Sequence, residues 1–197
     1  MRHFLCYLLC CFLSATALAG DKTPVQVLLE TSEGNITLEL NAVAAPISTN
    51  NFLQYVDSGF YKNTVFHRVI PDFMIQGGGF EAGMREKPTQ AAIRNESANG
   101  LHNVRGSIAM ARTAQPDSAT AQFFINLVDN AYLDGSAAQP GYAVFGKVVS
   151  GMDVIDRIAA ARTQQQGVHQ NVPAKDVLIR DARRLPPAAP PTTLPAP

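Results

Sequence analysis

Phe66-His67-Arg68-Val69-Ile70-Pro71-Asp72-Phe73-Met74-Ile75-Gln76-Gly77-Gly78-Gly79-Phe80 holds two strand-like segments on either side of a Pro-Asp break. In a strand, alternate residues share a face, so Phe66 and Arg68 are expected on one side, as are Met74 and Gln76. Folded together at Pro71-Asp72, the two strands would set a guanidinium, an amide and apolar side chains along one concave surface. The spacing alone also allows a plainer reading, with Arg68 on the surface and Phe73 and Met74 as ordinary core. The three glycines carry neither a GxGxxG nor a GKS/T pattern, so they are not a phosphate cradle. They mark a tight turn after a strand or a close backbone approach.

On both sides of this stretch the pattern is mostly short strands. Residues 25–31 are β-branched and apolar, Ser32-Glu33-Gly34-Asn35 is a turn cluster, and 36–40 alternate apolar with polar, which predicts a hairpin with one buried face. Residues 46–56 read as a helix that opens on Pro46, buries Phe52, Leu53 and Val56, and ends at Gly59. Further strands are expected over 64–69, 73–76, 107–110, 123–127 and 143–149, with a second helix over 152–160 and a closing strand over 177–180. No internal repeat is present. Many short strands with two helices predict an all-β fold, a closed barrel or sandwich with helices at its ends.

Both ends of the chain differ in kind from its middle. Arg2 and His3 precede an apolar run over 4–13, and Ala17-Leu18-Ala19 comes after it with small residues at the cleavage positions. This predicts a signal peptide over 1–19, because ten apolar residues are too few for a span of ~20. An uncleaved anchor is the alternative. A lipoprotein signal is excluded, since Asp21 stands where it would need Cys. All three cysteines, Cys6, Cys10 and Cys11, lie in the apolar run, so the exported form would carry no disulfide, thiolate ligand or thiol nucleophile. Residues 20–184 are expected to form one domain. Residues 185–197 contain six prolines and are expected to be extended and disordered, a passive tail rather than a recognition ligand.

Composition removes other classes. Sixteen basic and sixteen acidic residues give zero net charge, without the basic footprint of a nucleic-acid binder. There is no P-loop, HExxH or GxSxG. His67, His102 and His169 lack ligand spacing, so no metal or other cofactor is expected.

The 66–80 segment resembles the signature of the cyclophilins, an FHRxIxxFMxQGG stretch. The resemblance continues through Gly106-Ser107-Ile108-Ala109-Met110-Ala111-Arg112-Thr113, Ala121-Gln122-Phe123-Phe124-Ile125, Tyr132-Leu133-Asp134 and Tyr142-Ala143-Val144-Phe145-Gly146-Lys147-Val148, and covers roughly residues 25–180. It implies a closed eight-stranded antiparallel β-barrel capped by two α-helices. It also implies peptidyl-prolyl cis–trans isomerase activity, with proline-containing unfolded polypeptides as partners. The family's catalytic arginine falls on Arg68 and its active-site glutamine on Gln76. Its proline pocket falls on Phe73, Met74, Phe124 and Leu133, and its substrate-backbone contacts on Ala111, Arg112, Thr113 and Gln122. Tyr132 stands where many eukaryotic members have Trp, and Tyr142 where they have a pocket His. Both resemble the bacterial periplasmic branch, and cyclosporin binding does not carry over, because the family's Trp contacts that drug. Arg112 replaces a common Asn, a mild change if only its backbone meets substrate.

These groups suit the reaction. The barrier to rotating a peptide bond, ~18–20 kcal/mol, comes from resonance, and X-Pro bonds have cis and trans forms close in energy that exchange slowly. Twisting the bond makes the prolyl nitrogen basic, and an arginine can donate to it without giving up a proton. His67 sits next to the arginine, but the reaction needs no general base and strand neighbours point to opposite faces. The competing reading is a non-catalytic Pro-peptide-binding module or holdase chaperone; a missing arginine would have favoured it. A monomer in the periplasm, or alternatively a secreted protein, free of membrane after cleavage, is expected.

Overall fold

The computed structural model describes residues 24–136 and 138–186. The signal-peptide assignment and all of the tail beyond Pro186 lie outside the described residues. Strands β1 (Val25–Thr31) and β2 (Gly34–Leu40) form the expected hairpin, in register from Val25 opposite Leu40 to Thr31 opposite Gly34. Helix α1 (Pro46–Asp57) comes next, then β3 (Thr64–Ile70), β4 (Met74–Glu81), a two-residue β5 (Arg85–Glu86), β6 (Ser107–Met110) and β7 (Phe123–Asn126). After β8 (Val144–Ser150) come α2 (Met152–Ala159), β9 (Thr163–Gln166), β10 (His169–Pro173) and β11 (Leu178–Arg184).

The sheet order is β3-β11-β1-β2-β8-β6-β7-β4, and β4 pairs back onto β3. Eight antiparallel strands therefore close on themselves, and no barrel strand is left with an unpaired edge. The barrel is filled with aromatics around Phe123, whose ring meets Phe52, Tyr61 and Phe66 edge-on at centroid distances of 5.6, 5.6 and 6.1 Å. The Tyr61 hydroxyl is satisfied inside this core by the Ala121 carbonyl at 2.8 Å. Helix α1 buries Phe52, Leu53, Tyr55 and Val56 against the core, and α2 buries Val154, Ile155 and Ile158.

Helix α1 begins without a capping side chain of its own. Glu96, from a loop far along the sequence, supplies one. Its carboxylate accepts the Ile47 N–H at 3.0 Å and the Ser48 N–H and hydroxyl at 2.7 and 2.8 Å. An anion here meets both the orphan donors and the positive end of the helix dipole. At the other end Gly59, at φ +67°, and Phe60 return hydrogen bonds to Val56 and Tyr55. Gly59 thus ends the helix as expected.

Two expectations are corrected. Strand β4 runs through the three glycines, so of the two readings the tight turn is not formed and the close backbone approach holds. Between Thr64–Glu81 and Phe66–Gly77 the register slips, giving β4 extra residues. Gly78 sits at φ +83°, where a Cβ would stand 2.7 Å from the Tyr61 ring. The run is thus a bulge against packed rings. The second correction concerns faces. Phe66 pairs with Gly77 and Arg68 with Gln76, so β3 carries one extra residue between them. That bulge reverses the alternation: Phe66 points into the core, while Arg68 points outward.

Candidate active site

The outer face of β3, β4, β6 and β7 carries a second, smaller apolar cluster, formed by Met74, Ala109, Phe124, Leu133 and Val144, with Phe73, Ala111, Leu101 and Tyr142 packed against it. Strand pairing assembles it. Gln76 lies opposite both Arg68 and Phe124, and Ala109 lies opposite Phe124. The Pro71-Asp72 break, with Asp72 at φ +58° and Phe73 N–H returning to the Ile70 carbonyl at 3.2 Å, swings Phe73 and Met74 to the same surface. The resulting cleft, about 90 Å³, is lined by Arg68, Phe73, Met74, Gln76, Ala111, Arg112, Phe124, Leu133 and Tyr142. That volume suits one small ring and falls well below the roughly 300–1,000 Å³ of a drug-sized site.

Polar side chains hold the cleft's edge. Arg68 Nη1 lies 3.4 Å from Gln76 Oε1, and Gln76 Nε2 donates to Gln122 Oε1 at 2.9 Å. Gln122 lies against Gly79, where any Cβ would come within 2.6 Å of its amide. The third glycine thus makes room for the last member of the chain Arg68–Gln76–Gln122. Among the described residues Arg68 makes no salt bridge, so the guanidinium that lines the cleft is not spent on a carboxylate.

Nine of the twelve residues selected from the sequence line the cleft. Gln122 stands one hydrogen bond behind it. Tyr132 is 73% exposed on the rim, stacked on Phe73 at 6.0 Å and 25°. Thr113 is exposed and turned into its own loop, bonded to Ser118 Oγ at 2.8 Å. Arg112 has a structural task for its side chain. The guanidinium lies 4.6 Å over the Tyr142 ring and donates to the carbonyls of Gly141, Thr113 and Pro140 at 3.0, 2.9 and 2.8 Å. Tyr142 in turn meets Phe124 edge-on at 5.5 Å.

A group missed by sequence reasoning sits behind the cleft. Asn103, Asn126 and Asn130 are 1%, 0% and 2% exposed. Asn130 Nδ2 donates to the Phe73 carbonyl at 3.0 Å and to Asn126 Oδ1 at 2.7 Å. Asn126 Nδ2 donates to Asn103 Oδ1 at 3.1 Å and Ser107 Oγ at 2.9 Å. Asn103 Nδ2 donates to Asp134 Oδ1 at 2.9 Å. This amide ladder joins the backbone at Phe73 to Asp134, the residue after Leu133, and so fixes two walls of the cleft relative to each other. Burial works to raise the Asp134 pKa, but hydrogen bonds from Asn103 and His102 outweigh it and hold the carboxyl below its usual value. The only signal in the sequence was a polar residue ending an apolar strand, which is common and unspecific.

His67 is 5% exposed and packs at a tilt against the Phe80 ring at 4.7 Å; Phe80 also meets His169 edge-on at 5.2 Å. Burial pushes its pKa down to about 4. The imidazole is therefore neutral at physiological pH, and it takes no part in lining the cleft.

A closed antiparallel barrel with a small apolar cleft on its wall, and a guanidinium at the cleft's edge, is an arrangement able to take one small ring and to offer it a hydrogen-bond donor. The family model described as cyclophilin type peptidyl-prolyl cis-trans isomerase matches residues 26–184, and the chain belongs to that family. It is 57% identical over 167 residues to a peptidyl-prolyl cis-trans isomerase of Acinetobacter baylyi, covering 85% of this chain and 87% of that protein. It is 55% identical over 161 residues to peptidyl-prolyl cis-trans isomerase A of Dickeya dadantii, covering 82% and 85%. Among solved structures, a cyclophilin-type isomerase of Cryptosporidium parvum superposes with a TM-score of 0.69 at 26% identity, over 83% of this chain and 98% of that one.

Proposed function

We propose that the chain catalyses rotation about X-Pro peptide bonds with Arg68 as its central catalytic residue, and that it assists the folding of exported proteins. The observation that carries the assignment of roles is the Arg68–Gln76–Gln122 chain along the edge of a cleft floored by Phe73, Met74, Phe124 and Leu133. The proline ring enters the cleft, and the peptide bond before it lies under Arg68. As that bond twists, its nitrogen gains a lone pair, and Arg68 donates to it. The interaction is stronger in the twisted state than in either planar state, which is what lowers a barrier. The apolar floor keeps water from competing for the nitrogen. Ala111 and Arg112 at the opposite wall, with Gln76 and Gln122, hold the chain on one side while the other turns.

Magnitudes set how much each part contributes. Raising an uncatalysed rate of ~10⁻² s⁻¹ to ~10³ s⁻¹ needs about 7 kcal/mol of differential stabilisation. One charged hydrogen bond supplies ~1.5–3 kcal/mol. The rest falls to the preorganised cleft, which is why the walls are tied by buried amides. The test is a protease-coupled isomerisation assay on an X-Pro peptide with wild type and Arg68→Ala. Turnover lost while peptide binding persists supports the role; turnover within a few-fold of wild type removes Arg68 from it. The apolar run and small-residue cleavage positions of residues 1–19 support export, here assigned to the periplasm. Cell fractionation with N-terminal sequencing checks this, with Gly20 as the expected first residue.

A further inference from the structure

The proline cleft has a much larger neighbour. A groove of about 700 Å³ lies on the barrel wall beside it, lined by Leu40, Val43, Leu101, Val104 and Val144, with Pro24 and Val25 at its rim. Val43 is 95% and Val104 47% exposed, two of the few large apolar side chains left in solvent. The groove's charges cancel locally, since Lys147 Nζ pairs with Glu39 Oε1 at 3.2 Å. A mainly apolar hollow of this size, with Lys147 and Glu39 paired to each other and His102 bonded to Asp134, calls for an uncharged, mainly apolar occupant.

The strand order brings one to its edge. Strand β11 pairs antiparallel with β1, with Arg184 opposite Val27, and the Leu185 N–H continues the ladder to the Gln26 carbonyl at 2.8 Å. The described chain therefore ends, at Pro186, beside the start of β1, whose Val25 lines the groove together with Pro24. Beyond Pro186 the chain reads Pro187-Ala188-Ala189-Pro190-Pro191-Thr192-Thr193-Leu194-Pro195-Ala196-Pro197, with no charged residue and five prolines. In a polyproline II conformation these eleven residues reach roughly 34 Å, ample to cross the groove. We infer that residues 187–197, which composition alone marks as a passive tail, instead dock back into this groove as the protein's own ligand, covering Val43 and Val104. Proline-rich segments lose little entropy on docking, and tethering at the rim gives the tail a roughly millimolar effective concentration. A second copy or a passing polypeptide at micromolar concentration competes poorly with a ligand already in place.

Amide and methyl NMR spectra of residues 20–197 and 20–186 test this directly. Expected are shift differences concentrated at Val25, Val43, Leu101, Val104 and Val144, unchanged on tenfold dilution, and their disappearance when the longer form carries Val43→Asp. A synthetic peptide of residues 187–197, added to the shorter form, is expected to move the same signals at millimolar concentration. Differences confined to Phe73, Phe124, Leu133 and Tyr142 would overturn the inference, making the tail a ligand of the proline cleft. Differences that vanish on dilution would overturn it in favour of a second copy, and no differences at all would overturn it outright. Saturation of the groove by an unrelated apolar peptide, with the tail peptide inert, would assign it to clients instead.

Discussion

The barrel wall carries two hollows of opposite kind, and Val144 and Leu101 line the large one while packing into the apolar cluster that underlies the small one. One holds about 90 Å³ and the other about 700 Å³. The small one has a guanidinium and a relay of amides at its edge and buried asparagines behind it. The large one has valines and leucines, with one self-cancelling ion pair. Size would choose the large hollow as the active site, and chemistry chooses the small one. Rotation about a bond needs one ring held still and one donor aimed at one nitrogen, so a cleft that fits a single ring and little else is the better catalyst. Substitutions should therefore hurt most around the small hollow and least around the large one.

The largest effect is expected at the small hollow's donor. Arg68→Ala removes a preorganised donor to the twisted bond, and losses of about 10²–10³ in kcat are typical of that change. Arg68→Lys keeps charge but not the planar fork and is expected to recover only part of the loss. Full recovery by Lys would mean that bare charge, not donor geometry, distinguishes the two hollows.

Next comes acid. His67 is neutral when folded because burial holds its pKa at about 4, below the 6.5 of an exposed imidazole. The unfolded chain takes up the proton first, so stability is complete above pH 6.5, falls as pH drops towards 4, and levels off below it. The loss attributable to this group is about 3 kcal/mol. Urea denaturation of wild type and His67→Gln at pH ~7.5 and ~4.5, on either side of most of that titration, isolates it; equal pH dependence in both would remove His67 as the source. Isomerase activity between about pH 6 and 8.5 is expected to be flat, because the imidazole does not titrate there.

The walls should matter by an intermediate amount. Asn126→Ala takes the donor from buried Asn103 Oδ1 and one partner each from Asn130 and Ser107, at a cost of about 1–3 kcal/mol. A raised KM at neutral pH, beyond that of Glu96→Ala, is the expected sign that the ladder positions the cleft. Glu96→Ala removes a cap worth about 1–2 kcal/mol to helix α1, seen as a lower urea midpoint. Its loop is nonetheless close to the site: Asn95 Nδ2 donates to the Gly141 carbonyl at 3.0 Å, and Ser97 Oγ accepts the Gly141 N–H at 2.9 Å. Equal KM values for the two variants would reduce the ladder to a stabilising element.

The same contrast explains what was legible before the structure. Period-two alternation reports burial of one face, so the β1–β2 hairpin and both helices fall within a residue or two of their expected bounds. Strand β4 was cut short because glycines suppress strand propensity, although here they allow close approach to Tyr61, Phe123 and Gln122. The hairpin of β9 and β10 was missed because Thr163-Gln164-Gln165-Gln166 has no apolar alternation; its buried residues, Val172 and Pro173, come late. The cleft's residues were identified through resemblance, whereas alternation put Phe66 and Arg68 on one face. A bulge is a register event between two strands, and a single strand's pattern cannot show it. The Asn103–Asn126–Asn130 ladder was invisible for a similar reason: three amides from separate segments acquire meaning only when packing brings them together.

The smallest effect is expected at the large hollow. Val43 stands clear of the barrel core, so Val43→Asp creates no core cavity and displaces at most the docked tail, and surface changes of this kind usually stay within about 0.5 kcal/mol. Its kcat and KM on a short X-Pro peptide should match wild type within experimental scatter, even though the groove is by far the larger hollow. A substantial change in kcat would mean that the groove reaches the cleft through Val144 and Leu101. The two hollows would then work as one extended site, with the peptide's flanking residues held in the groove while its proline turns under Arg68.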